Sequence, residues 1–143
     1  MKWIDLPPVW LALCLCVAWA APWRFDPGPF ANVGWMALVV GAALTVLAVV
    51  AFVGAKTTII PRHDPDALIT HGIFAWTRNP IYLADVLFLF GASLIWGAWI
   101  GCVLVPAFVW MLDRRFIRGE EALLARVYGT EFDAFCQVVR RWI

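Results

Sequence analysis

Arg78-Asn79-Pro80-Ile81-Tyr82 stands at the edge of a long apolar run. Proline is tolerated at the first position of a helix, so the spacing predicts a helix that starts there. The free amide hydrogens of a helix start attract anions, a carboxylate for instance, and Arg78 beside them adds a cation. An arginine that snorkels to headgroups next to a helix-starting proline would leave the same trace. Asp85 lies one turn beyond Tyr82, inside the apolar run. Acids at membrane depth are costly and usually face a cavity or a partner. One turn is only about 5 Å of depth, so interfacial water could also reach it. Further on, Glu120-Glu121 opens a segment of helical periodicity, where acids complement the helix dipole. His63 and His71 could act as bases, but two histidines in a polar loop fall short of a metal site, and none is expected. Cys14, Cys16, Cys102 and Cys136 read as small apolar packers.

These groups hang on an apolar frame. The chain has 143 residues, 64% of them hydrophobic and 15% charged, with a mean hydropathy of +0.82. A soluble domain of this size cannot hide that much apolar surface. The pattern predicts an all-α integral membrane protein forming a single membrane domain over 1–143. Residues 1–55 form an N-terminal helix pair; 56–143 form the part that carries the polar groups. The apolar runs are Leu6 to Ala21, Val33 to Ala55, and Ile81 to Leu112. The last is too long for one crossing, and Trp96-Gly97-Ala98-Trp99 near its middle splits it into a hairpin, Ile81–Ile95 and Trp99–Leu112. About four transmembrane helices result. Lys2, the first run and Ala18-Trp19-Ala20 also resemble a signal peptide; a retained helix gives the even number of spans that the charges require.

With the N-terminus inside, the cytoplasmic segments hold Lys2, Lys56, Arg62, Arg78, Arg114, Arg115, Arg118, Arg126, Arg140 and Arg141. Only Arg24 falls outside, a nearly pure positive-inside bias. Both termini and both long polar segments are therefore expected on the cytoplasmic side. Tryptophans mark the interfaces, among them Trp19, Trp23, Trp35 and Trp99 outside and Trp3, Trp76 and Trp110 inside. Leu123, Leu124, Val127, Tyr128, Phe132, Phe135 and Val139 recur at helical spacing, which predicts one or two amphipathic helices on the membrane surface, broken at Gly129. The net charge of +1 gives no case for a nucleic-acid partner.

In order along the chain stand Thr70-His71-Gly72-Ile73-Phe74, Arg78-Asn79-Pro80-Ile81-Tyr82, a helical hairpin, Glu120-Glu121-Ala122-Leu123-Leu124, Tyr128-Gly129 and Arg141-Trp142. This ordered set resembles the isoprenylcysteine carboxyl methyltransferase and phospholipid methyltransferase family over roughly residues 60 to 143. The resemblance implies S-adenosylmethionine as methyl donor in a cytoplasmic pocket. It assigns Asp66, Ala67, Leu68, Ile69, Phe74, Asn79, Pro80, Ile81, Tyr82, Glu120 and Glu121 to that pocket. Glu120 would neutralise the cofactor's ammonium, and an aromatic and aliphatic slot would hold its adenine. Arg78, Tyr82 and Arg115 are the candidate catalytic residues, with Arg114 or Arg118 as further partners for an anionic acceptor. The family's histidine is Asn79 here and its usual tyrosine after the turn is Phe74. Asparagine cannot titrate, and no other base is obvious, which favours an acceptor that is already anionic. The implied partner is a lipid or lipophilic small molecule in the membrane: a carboxylate of isoprenylcysteine type or a phospholipid amine.

Two other readings compete. Sterol reductases resemble the same arrangement, with Tyr82-Leu83-Ala84-Asp85 and Phe135-Cys136 echoing their motifs, and would use NADPH. A non-enzymatic membrane subunit would bind no cofactor. Oligomeric state is not legible.

Overall fold

The computed structural model describes residues 6–55 and 67–143. Lys2, Trp3, Lys56, Arg62, His63 and Asp66 lie outside them. Among the described residues the fold is all-α, with six α-helices. Helix α1 (Pro7–Ala20) starts on two prolines and carries no charge. Helix α2 (Phe30–Gly54) follows a Pro27-Gly28-Pro29 turn, where the Phe30 amide donates to the Pro27 carbonyl at 2.8 Å. That turn starts the helix three residues before the apolar run does. Its 25 residues reach about 37 Å at 1.5 Å each, enough to cross a bilayer. Helices α3 (Pro80–Ile95) and α4 (Trp99–Leu112) form the expected hairpin.

A π-helical turn (Asp113–Ile117), which the sequence reading did not anticipate, joins α4 directly to α5 (Arg118–Tyr128). Gly129 then breaks the chain at a φ of +50°, a conformation costly for any residue with a Cβ, and α6 (Thr130–Val138) follows. A short 3-10 turn (Gly72–Ala75) precedes α3.

The bundle is held by close backbone approach. A Cβ added to Gly34 of α2 would lie 2.7 Å from the Gly91 carbonyl of α3, and one added to Gly91 would lie 2.6 Å from the Gly34 carbonyl. Small residues at such a crossing bring the backbones into contact, which is how helices associate where water supplies no driving force. The opposite face of α2 stays apolar and uncovered: Val39, Val46 and Val50 are exposed, and Val53 is 69% exposed. Arg24 ties the turns at the far end, its guanidinium donating to the carbonyls of Trp19 and, at 3.2 Å, Trp96. Two apolar clusters result. One centres on Tyr82, Leu89, Phe108, Leu112, Phe116 and Ile117, packed by Trp10 of α1. The other, built from Ile69, Phe74, Phe132, Phe135 and Val139, lies where α2 ends and α3 begins.

Candidate active site

The second cluster is the floor of a cleft. Its walls are Phe52 of α2, Ala67, Leu68 and Ile69, Phe74 of the 3-10 turn, Arg78 and Asn79, Glu120, Glu121 and Leu124 of α5, and Phe132 and Phe135 of α6. Counting the solvent in its open mouth, the space it surrounds is about 620 Å³. The apolar walls are aromatic: the Phe52 and Phe74 rings meet edge to face with centroids 5.5 Å apart. The polar groups are two carboxylates, one guanidinium and one amide, so the cleft can hold an apolar ring system and a ligand of mixed charge.

The carboxylates have different partners. The Tyr82 hydroxyl donates to Glu120 Oε1 at 2.6 Å. This contact crosses from α3 to α5 and hangs Glu120 from the bundle. Glu121 lies between two arginines, 2.9 Å from Arg78 and within 3.1 Å of Arg141 Nε. Arg78 also donates to the Cys136 sulfur at 2.8 Å. Burial pushes that thiol up, against the opposing pull of Arg78, so Cys136 stays protonated near neutral pH and accepts. Arg78 Nε is buried with no partner among the described residues. The guanidinium therefore keeps a spare donor.

Residues after α6 clamp this arrangement. The Arg78 amide donates to the Arg140 carbonyl at 3.1 Å. The Thr77 hydroxyl and the Asn79 side-chain amide both donate to the Arg141 carbonyl, at 3.3 and 3.0 Å. The Arg141 guanidinium reaches on to Asp113 Oδ1 at 2.6 Å, while Arg118 holds Asp113 Oδ2 at 2.8 Å. Burial would raise the Asp113 carboxyl, but the Arg118 hydrogen bond and the charges of Arg141 and Arg118 outweigh it and hold it below its ordinary value. The Glu121 hydrogen bond pushes Arg141 up, against partial burial.

The structure thus brings Ala67, Leu68, Ile69, Phe74, Arg78, Asn79, Glu120 and Glu121 into one cleft. Pro80 is buried behind it, and neither Pro80 nor Ile81 lines it. Tyr82 does not line it; its hydroxyl holds the lining carboxylate of Glu120. Arg115 is elsewhere: it is exposed, and its guanidinium lies 5.4 Å over the Trp10 ring. Asn79 spends its side chain on the clamp. The sequence reading did not assign Phe52, Leu124, Phe132 or Phe135 to the site; the last three sit on the amphipathic face it did identify. Arg141 and Asp113 were also missed as a pair. Among the described residues no cluster of metal ligands occurs.

Residues 31–131 match the profile of the phospholipid methyltransferase family. The chain belongs to that family. The match runs from α2 into α6 and takes in every residue of the cleft except Phe132 and Phe135. Within this family of methyltransferases the chain is similar to a probable protein-S-isoprenylcysteine O-methyltransferase of Oryza sativa subsp. indica. The two are 28% identical over 109 residues, which is 75% of this chain and 57% of the relative. It is 26% identical over 74 residues to the protein-S-isoprenylcysteine O-methyltransferase of Schizosaccharomyces pombe, covering 52% and 31%. With the Tribolium castaneum protein of that name it shares 28% over 81 residues, 54% and 28%. The chain therefore spans about 57% of the rice relative's length and less of the other two. No solved structure matches it.

Proposed function

We propose that this protein is a membrane methyltransferase that uses S-adenosylmethionine to methylate a lipid or lipophilic small molecule. The single observation that carries the reading is the convergence, on one cleft, of residues from three separated segments that the family resemblance assigns to the cofactor: Ala67 to Ile69 with Phe74, Arg78-Asn79, and Glu120-Glu121. The donor set fits the ligand. Glu120 would neutralise its ammonium, Arg78 has a spare buried N–H for its carboxylate, and the aromatic and aliphatic walls suit its adenine. When bound, the cofactor supplies an electrophilic methyl on a sulfonium. The protein's own part is to hold that ligand at the end of the bundle and to keep water from its apolar side.

In this reading α1, α3 and α4 complete a four-pass bundle with α2, both termini face the cytoplasm, and α5 and α6 lie at the cytoplasmic interface. The bare apolar face of α2 supports membrane burial. The relatives' names point to an isoprenylcysteine carboxylate and the family's name to a phospholipid as acceptor; both are lipophilic. The test is calorimetry of S-adenosylmethionine and NADPH against detergent-purified protein and its Glu120→Gln variant. S-adenosylmethionine alone should bind, and the variant should bind it about tenfold more weakly, the worth of a charge-assisted contact. Binding of NADPH alone would overturn the reading in favour of a reductase. Binding of neither to folded protein would leave a non-enzymatic subunit.

A further inference from the structure

Cys136 reads from the sequence as an apolar packer, like Cys14 and Cys16 of α1 and Cys102 of α4. Its surroundings are different. It follows Phe135, which lines the cleft, and stands one turn beyond Phe132, which also does. The thiol is half-buried, and Nη1 of Arg78 donates to its sulfur at 2.8 Å. The same nitrogen lies 2.9 Å from Glu121 Oε1 of α5. Nη1 carries two hydrogens, so one goes to a carboxylate of α5 and the other to a sulfur of α6. The side chains of Arg78 and Glu121 are each only 15% exposed, so water does not compete freely for these contacts. Glu121 is in turn held by Arg141 Nε at 3.1 Å.

A guanidinium is planar and presents its donors in a rigid fork. Two acceptors from different helices on one terminal nitrogen fix that plane, whereas one acceptor leaves it free to swing about the remaining contact. With Nη1 occupied, a ligand has to be met through the side-on edge, Nε with Nη2. Nε is buried with no partner among the described residues, and such an edge takes a carboxylate in two parallel hydrogen bonds. The two acceptors differ in what they do to the charge. Glu121 already offsets part of the cation. A second carboxylate at position 136 would compete with an incoming anion, but a thiol that burial keeps protonated orients Arg78 and leaves its charge to the ligand. We propose that Cys136 is a positioning residue of the cleft. It sets the plane of Arg78 so that the Nε edge meets the carboxylate of the methyl donor, and so gives the cleft its preference for a donor that carries one.

This inference rests on the methyltransferase reading, and the test separates the two. Wild type, Cys136→Ala and Cys136→Ser are purified in detergent. Each is titrated calorimetrically with S-adenosylmethionine and with its decarboxylated form, which keeps the ammonium, the sulfonium and the adenine. Wild type should prefer S-adenosylmethionine by about tenfold or more, the worth of a charge-assisted contact. Cys136→Ala should lower that preference by about three- to tenfold, the worth of one neutral hydrogen bond, with its affinity for the decarboxylated form unchanged. Cys136→Ser keeps a neutral acceptor in place and should restore the preference to within about twofold of wild type. A side chain that only packs would weaken both ligands together. Equal losses for the two ligands, an unchanged preference in Cys136→Ala, or a serine variant as poor as the alanine one overturns the positioning role and leaves the methyltransferase reading standing. A wild type that binds S-adenosylmethionine but is indifferent to its carboxylate does the same. Wild type that does not bind S-adenosylmethionine overturns both. Should Cys136→Ala bind neither ligand, Cys136→Ser decides: a restored preference supports the positioning role, and a lowered preference or binding of neither ligand overturns it.

Discussion

Replacing Arg141 with methionine tests whether the C-terminal clamp carries energy. The guanidinium makes charge-assisted contacts with Asp113 at 2.6 Å and with Glu121 at 3.1 Å from Nε. Such bonds contribute roughly 1.5–3 kcal/mol each when well buried. Arg141 is 32% exposed at its side chain, so solvent screening moves each towards the surface value of about 1 kcal/mol or less. Neither carboxylate is stranded, because Asp113 keeps Arg118 and Glu121 keeps Arg78. The Arg141 carbonyl also keeps its two donors, Thr77 and Asn79. The net loss should be about 1–2 kcal/mol, a fall in Tm of roughly 3–6 °C for a chain of this length. Its pH dependence has a definite sign. Asp113 is held below its ordinary carboxylate value of 3.8. It therefore stabilises the fold fully above that value, and the contribution is lost as pH falls through the lower folded value. Arg141, shifted upward, contributes at every pH below the alkaline range. Thermal unfolding in detergent from pH 7 to pH 3 should show a gap between wild type and Arg141→Met that is flat near neutrality and closes below about pH 4. An unchanged Tm at pH 7, or a gap that widens in acid, refutes the reasoning.

Tyr82→Phe should weaken S-adenosylmethionine binding by less than about tenfold, since it removes one donor from a carboxylate that stays in place. Arg78→Ala should weaken it more, because it removes the spare Nε donor and one partner of Glu121 together; calorimetry showing the reverse order would remove Arg78 from the site. Gly91→Val forces a Cβ to within 2.6 Å of the Gly34 carbonyl and should cost about 1–3 kcal/mol as α2 and α3 part. Gly119→Ala meets nothing within 4 Å and serves as the control in the same melt, expected to be neutral or stabilising by up to about 1 kcal/mol.

The hairpin was legible because Trp96-Gly97-Ala98 punctuates an otherwise unbroken apolar run, and α4 ends where Asp113 begins the charges. The first residues of α2 were not, because a proline-glycine turn set them rather than the apolar pattern. The cleft was legible as a set of ordered motifs, each weak, whose residues meet only in three dimensions. Phe52 was invisible for the opposite reason. Helix α2 is apolar all round, and nothing in such a sequence marks which residue faces a cleft and which faces outward. Arg141 pairs with Glu121 and Asp113, 20 and 28 residues away; contacts of that range leave no local periodicity to read. The π-helical turn likewise joins α4 and α5 in one continuous run, which the end of the apolar pattern at Leu112 does not mark.

Helix α5 buries no residue fully. Its place over the cleft therefore rests heavily on polar contacts: Tyr82 to Glu120, Arg78 and Arg141 to Glu121, and Arg118 with Arg141 to Asp113 just before it. Three of the groups that fasten the helix, Arg78, Glu120 and Glu121, also face the cleft. A cation arriving at Glu120 must share it with the Tyr82 hydroxyl, and an anion arriving at Arg78 must share it with Glu121. Ligand binding and the docking of α5 thus draw on one set of charges. A ligand carrying both signs can replace what it takes from each, whereas one of single sign cannot. A zwitterionic amino-acid end is the group that meets this condition, which supports the proposal of a methyl donor built on one over a purely anionic dinucleotide.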